Sequence, residues 1–147
     1  MQVQKEEVRQ SILGKAIEEF YSNGYQKASL RKIVKNAGTT IGNFYNYFKN
    51  KEELVDETVS HVHDTMHKEI FCICDKGYNA IQENFEIKNM FKNMFKNSDD
   101  SPMFQLEKYY PKTYHKIMVN EFTMFKDCIL TNLKKGIKEG TYRSDID

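Results

Sequence analysis

Two groups of residues in this 147-residue chain have types and spacings that could do chemistry. The first gathers His61, His63, His67, Cys72 and Cys74, with Cys128 farther on. His63 and His67 are four residues apart, so on a helix they share a face and could ligate a metal ion. No carboxylate visibly converges with them, and the Glu of a helical zinc-protease motif is missing, so no metal site is expected. Cys72 and Cys74 would point apart on a helix, and the three cysteines match no common zinc spacing. Reduced, partly buried thiols are expected instead. A catalytic reading needs a convergent nucleophile and base, which these scattered groups do not supply, so neither an enzyme nor a cofactor is expected.

The second group is Thr39, Thr40, Asn43, Tyr45, Asn46 and Tyr47, a run of hydroxyls and amides around Gly42. Its surroundings are cationic: from Gly24 to Lys51 the chain carries Lys27, Arg31, Lys32, Lys35, Lys49 and Lys51, and no Asp or Glu. Small polar side chains suit base edges, and flanking cations suit phosphates. The net charge of +1 hides this bias, since residues 1–54 hold nine Lys and Arg against six Asp and Glu. A polyanion is the partner such a segment implies.

Two short helices must position these groups. Ser29 can cap the first, on which Leu30, Ile33, Val34 and Ala37 fall on one face. Gly38 tolerates positive φ and lets the chain turn, and Thr39 or Thr40 can cap the second helix. That helix directs Ile41, Phe44 and Phe48 inward and leaves Thr40, Gly42, Asn43, Tyr45, Asn46 and Tyr47 outside. The pattern is a helix-turn-helix, whose second helix is laid in the major groove of DNA.

The run from Gly38 to Phe48 (GTTIGNFYNYF), with Lys51-Glu52-Glu53-Leu54 after it and Gly24-Tyr25 before it, resembles the DNA-binding domain of the TetR family of bacterial transcriptional regulators. The match covers the first third of the chain, and the family often has His where Tyr47 stands. The resemblance implies an all-α protein with a three-helix DNA-binding bundle in residues 1–50, its motif at about 29–48, and a helical regulatory body in residues 51–147. It implies a homodimer on a palindromic operator in double-stranded DNA, acting as a repressor released by a small apolar or aromatic effector. Thr40, Ile41, Asn43 and Asn46 would meet bases, Gly42 would let the backbone approach, and Arg31, Thr39, Tyr45, Tyr47 and Lys51 would hold phosphates. Asn43 is the strongest specificity candidate, because Asn pairs bidentately with adenine. Family members usually continue into two more helices that pair with those of a second copy, and this chain stops at Asp147 before them. A truncated body with an unassigned dimer surface is therefore expected.

The rest of the chain reads as helices around this motif. Residues 4–22 form the first, with Val8, Ile12, Leu13, Ala16, Ile17 and Phe20 on one stripe and Lys5, Arg9, Lys15, Glu18 and Glu19 opposite. Asn23-Gly24 should stop it, and Tyr25 should pack on the motif helices. A long helix is expected from Lys51 to Cys74 behind an Asn50 cap, burying Leu54, Val55, Thr58, Val62, Met66 and Ile70. Further helices are expected at about Tyr78–Lys96 and Met103–Tyr110, and from Pro111 to about Lys138, with a loop over residues 97–102. Gly136 and Gly140 would mark a fraying end.

Two prolines and seven glycines leave no sustained strand-like alternation. No apolar run is long enough for a bilayer and the start lacks a signal segment, so a cytoplasmic protein without a membrane partner is expected. The body is rich in Met, Phe and Tyr, which fill cores as readily as they line pockets. On the resemblance, Met90, Met94, Phe104, Tyr110, Tyr114, Met118, Phe122 and Phe125 are candidates to surround an effector. The alternative is a helical protein-interaction module with a DNA-binding head and no small-molecule effector.

Overall fold

The helices begin and end where the sequence supplies local chemistry for their orphan backbone groups. The computed structural model describes residues 2–96 and 102–146. Its order is α1 (Gln2–Lys27), α2 (Leu30–Asn36), α3 (Ile41–Phe44), α4 (Lys51–Cys74), α5 (Ala80–Met94), α6 (Pro102–Tyr109) and α7 (Pro111–Lys138), and the described residues include no strand. The fold is all-α, as expected. Residues 97–101 of the expected loop lie outside the described residues. The chain divides into two compact units, one formed by the described parts of Met1–Val62 and Asn97–His115, the other by those of His63–Lys96 and Lys116–Asp147. Helices α4 and α7 contribute residues to both.

In the first unit, Ile12, Leu13, Ala16 and Phe20 of α1 are buried with Ile33, Val34, Phe44, Phe48, Leu54 and Val55. Two α1 residues assigned to the polar face depart from that reading. Glu19 is only 6% exposed. Arg9 is half-buried, forms an ion pair with Glu57 of α4, and lies with its guanidinium 5.4 Å from the centre of the Phe48 ring. The guanidinium thus acts partly as a cation over an aromatic face.

Gly24 does not end α1. It kinks the helix, with φ 75° and ψ 160°, and the chain turns helical again to Lys27. Tyr25 beyond the kink is 4% exposed, and its ring lies 5.2 Å from that of Phe20 and 6.3 Å from that of Tyr110. Its backbone N–H donates to Gln105 Oε1 of α6 at 2.9 Å, so a residue from 80 positions away closes the kink. Burial pushes the Tyr21 phenol up to about 12 and raises that of Tyr25 as well.

In the second unit, α5 starts with a capping box, Asn79 accepting from Gln82 N–H while the Gln82 side chain accepts from Asn79 N–H. A polar clamp registers α5 against α7. Glu83, 3% exposed, accepts from Asn132 Nδ2 at 2.9 Å and pairs with Lys135, which also donates to the Tyr78 carbonyl at 2.6 Å. The hydrogen bond to Glu83 holds the Lys135 ammonium above its ordinary pKa. The end of α7 is not frayed at Gly136: this glycine is buried beneath the Tyr142 ring, whose hydroxyl donates to Asn132 Oδ1 at 2.9 Å.

Gly24→Ala is expected to lower stability by about 1–3 kcal/mol or more, because its backbone occupies a region that only glycine adopts readily and a methyl group would collide with the Gln105 amide. Gly14→Ala, in the open on α1, should instead raise stability by up to about 1 kcal/mol. Urea unfolding of the two variants checks the contrast, and equal effects would contradict this account of the kink.

Candidate nucleic-acid interface

Helix α2 is capped by Ser29, whose Oγ accepts from Lys32 N–H at 3.4 Å, and its Ile33 and Val34 anchor it to the core. At its far end Gly38 takes φ 71° and Thr39 N–H donates to the Val34 carbonyl at 2.9 Å, a glycine-based helix end that frees the chain to turn. Thr40 then caps α3, accepting from Asn43 N–H at 3.2 Å. The second helix is shorter than expected. Regular α-helix covers only Ile41–Phe44, and Tyr45–Tyr47 continue as tight turns, with Asn46 N–H donating to Asn43 O at 3.0 Å and Tyr47 N–H to Phe44 O at 2.9 Å.

Beneath this segment, Phe44 and Phe48 are 0% and 1% exposed and stack at 5.4 Å, as the inward spacing required. Ile41 is half-buried. Above it, Asn43 Nδ2 donates to Thr39 Oγ1 at 2.8 Å, and Asn46 Nδ2 donates to Asn43 Oδ1 at 3.0 Å. This chain of bonds fixes the half-buried Asn43 amide. It uses one of two amide hydrogens and one of two oxygen lone pairs, so Asn43 retains both a donor and an acceptor for a partner. Tyr45 is 58% exposed and rests edge-on against Phe44, while Tyr47 is half-buried. Gly42 is exposed, and a methyl there would meet only Thr40 Oγ1 at 3.9 Å, an ordinary contact. Internal packing therefore does not require glycine at that position.

The cations divide by role. Arg31 and Lys35 are exposed beside the turn. Lys32 is bound to Glu19 Oε2 at 2.8 Å, and Glu19 Oε1 also accepts Ser29 N–H at 3.3 Å. Lys51, expected as a phosphate contact, donates to the carbonyls of Gln26 at 2.9 Å and Ala28 at 2.8 Å, and its partial burial lowers its pKa. One N–H of that ammonium is left for another partner. The sequence reading missed Glu19, although it stands seven residues after Ile12 and three after Ala16, on the buried stripe itself.

The candidate effector residues fall in both units. Met90 and Met94 line a groove of about 550 Å³ with Cys72 and Ile73, and Phe125 lines another of about 420 Å³ with Ile70, Phe71 and Ile87. Met118 and Phe122 are 38% and 72% exposed. Phe104, Tyr110 and Tyr114 belong to the first unit, with Phe104 on its surface. Cys72 and Cys74 are exposed, not partly buried, while Cys128 is half-buried; burial raises the thiol pKa of Cys74 and Cys128. The expectation that no carboxylate converges on the histidines does not hold, because the buried Glu121 meets both His63 and His67. No helix among the described residues is long and apolar enough to cross a membrane.

The family model described as bacterial regulatory proteins, tetR family, matches residues 12–58. The chain is 40% identical over 52 residues to a fatty acid metabolism regulator protein of Bacillus subtilis, a stretch covering 35% of this chain and 27% of that relative. It therefore spans about a quarter of that relative's length. By structure it is similar to a gamma-butyrolactone receptor, with a TM-score of 0.72 and 21% identity over 98% of this chain and 72% of the other. It is also similar to the regulator FadR from Bacillus subtilis in complex with stearoyl-CoA, with a TM-score of 0.62 and 21% identity over 94% of this chain and 75% of the other. At these identities the two structures show a shared fold.

Lys51→Ala is expected to destabilise the chain by about 1.5–3 kcal/mol, the range for hydrogen bonds to a charged group. Arg31→Ala, a surface change, should stay within about 0.5 kcal/mol. Urea titration in the absence of DNA measures both, and a silent Lys51→Ala would show that its two carbonyl bonds do not hold the junction.

Proposed function

We infer the function from one premise, that the chain belongs to the TetR family of bacterial regulatory proteins. We propose that it is a sequence-specific DNA-binding transcriptional regulator, a repressor that a small apolar effector releases from its operator. Residues 1–50 serve as the DNA-reading domain and residues 51–147 as the regulatory domain. The observation that carries this reading is the polar edge of Thr40, Asn43 and Asn46, held over the buried Phe44 and Phe48 and flanked by cations without an intervening acid. Asn43, Thr40, Asn46 and Ile41 meet bases, and Gly42 admits close backbone approach. Arg31, Thr39, Tyr45, Tyr47 and the remaining N–H of Lys51 meet phosphates.

One turn of reading helix spans few base pairs, so a symmetric pair on a palindromic site supplies the affinity a single copy lacks. The exposed Val119, Phe122 and Ile129 of α7, each at least 61% exposed, support an apolar partner surface for a second copy. An acyl or similarly apolar effector agrees with what the compared proteins are described as regulating or binding, and with the Met and Phe lining of the two grooves. The regulator works in the cytoplasm, without a catalytic centre. The same exposed apolar face also favours a second reading, in which the body docks a protein instead of a small molecule.

Selection from random duplex DNA by the full chain should enrich a palindrome, and long-chain acyl-CoA should release the selected duplex. Asn43→Ala should change the preferred sequence, whereas Arg31→Ala should weaken all sequences alike and reduce the salt slope by about one. Failure to enrich any palindrome would overturn symmetric operator reading. Native mass spectrometry showing a bound protein and no release by apolar compounds would favour the docking module.

A further inference from the structure

We propose that His63, His67 and Glu121 form a binding site for a divalent transition-metal ion, with zinc the natural occupant. Helix α4 sets the two histidines one turn apart on one face, with ring centroids 6.1 Å apart and nearly perpendicular. Helix α7 brings Glu121 to them from more than fifty residues away, 5% exposed. Glu121 Oε1 lies 2.9 Å from His67 Nε2 and is also in contact with His63 Nδ1, and the three donor atoms all lie within 4.8 Å of one another.

Two imidazoles that merely satisfied a buried carboxylate could each take a different oxygen. Here both ring nitrogens address the same one, which draws all three donor atoms into one cluster. Two neutral imidazoles and a carboxylate form the ligand set of three-ligand zinc sites, in which a fourth position remains for water or a ligand. Tetrahedral coordination with bonds of about 2.0–2.2 Å needs donors about 3.3 Å apart, and the three donor atoms here all fall within 4.8 Å of one another. A divalent ion would also offset the desolvation of the Glu121 carboxylate, which is costly in a buried setting. Calcium and magnesium prefer all-oxygen shells, so the two imidazoles select the zinc, cobalt and nickel class. The inference holds whether or not the chain binds DNA.

The test titrates the full chain, freed of metal by a chelator, with cobalt(II) and then zinc(II) alone. One cobalt ion per chain is expected, with visible bands of nitrogen and oxygen ligation, no near-ultraviolet thiolate band, and displacement by one equivalent of zinc. His63→Gln, His67→Gln and Glu121→Gln should each weaken binding at least about tenfold, a loss that removal of even an outer-shell partner can cause. Circular dichroism of each variant checks its folding, and the half-exposed His67 position serves if Glu121→Gln unfolds. Replacing Cys72, Cys74 and Cys128 by Ser should leave binding unchanged. Absence of stoichiometric binding at micromolar metal, survival of binding in a folded His63→Gln/His67→Gln double variant, or a thiolate band that the serine variant abolishes would each overturn the proposal.

Discussion

A buried carboxylate and a half-buried ammonium hold the junction on which the polar edge of α3 depends. The chain passes from α1 to α2 through Ala28 and Ser29, where backbone groups leave one helix before the next can satisfy them. Glu19 takes the Ser29 N–H and the Lys32 ammonium, and Lys51 takes the carbonyls of Gln26 and Ala28. These charge-assisted bonds fix where α2 begins. Its length then fixes the Gly38 turn, and the turn fixes the face that α3 presents. Arg9 adds a tie from the other side, paired with Glu57 and lying over Phe48, the residue that supports the exposed edge. The surface that meets solvent is small and polar, but its placement rests on groups largely withdrawn from water.

The parts of this arrangement legible in the sequence were those decided within about four residues. Ser29, Thr40 and Asn50 cap where their types suggest, Gly38 turns, Phe44 and Phe48 point inward, and α4 and α7 start at Lys51 and Pro111. What escaped were pairings between distant polar residues: Arg9 with Glu57, Gln105 with Tyr25, Glu83 with Lys135, and Glu121 with the two histidines. Periodicity assigns a charged residue to the surface by type, and a buried one is betrayed only by a partner it cannot name. Glu19 was the exception, since its position on the stripe already contradicted its type. The short α3 has a local cause as well, because Gly42, Asn43 and Asn46 are poor helix formers and their amides bond locally instead. Gly136 marks no fraying end, because its missing side chain makes room for Tyr142.

The second unit follows a different logic. Its α5 and α7 are registered by a polar clamp, Glu83 with Asn132 and Lys135, and by the bond from Ala80 N–H to Glu139 Oε2 at 2.9 Å. Such bonds specify register more than they add stability, since each ionic group gives up solvation to enter. The apolar residues that a single helical pair would normally bury are meanwhile left outward, Phe85 at 59% and Val119 at 70% exposed. Met and Phe on this scale suit surfaces that adapt to what covers them. Of the candidate effector residues in this unit, Met90 and Met94 line one groove, Phe125 lines another, and Phe122 stands on an open face.

Backbone amide NMR of the labelled chain, titrated with its selected duplex, tests the central claim most directly. The account predicts the largest shift changes from Thr39 to Lys51 and at Arg31, with Asn43 and Asn46 side-chain amides among them. Changes confined to α5 and α7, with Thr40–Tyr47 unmoved at saturating duplex, would contradict it.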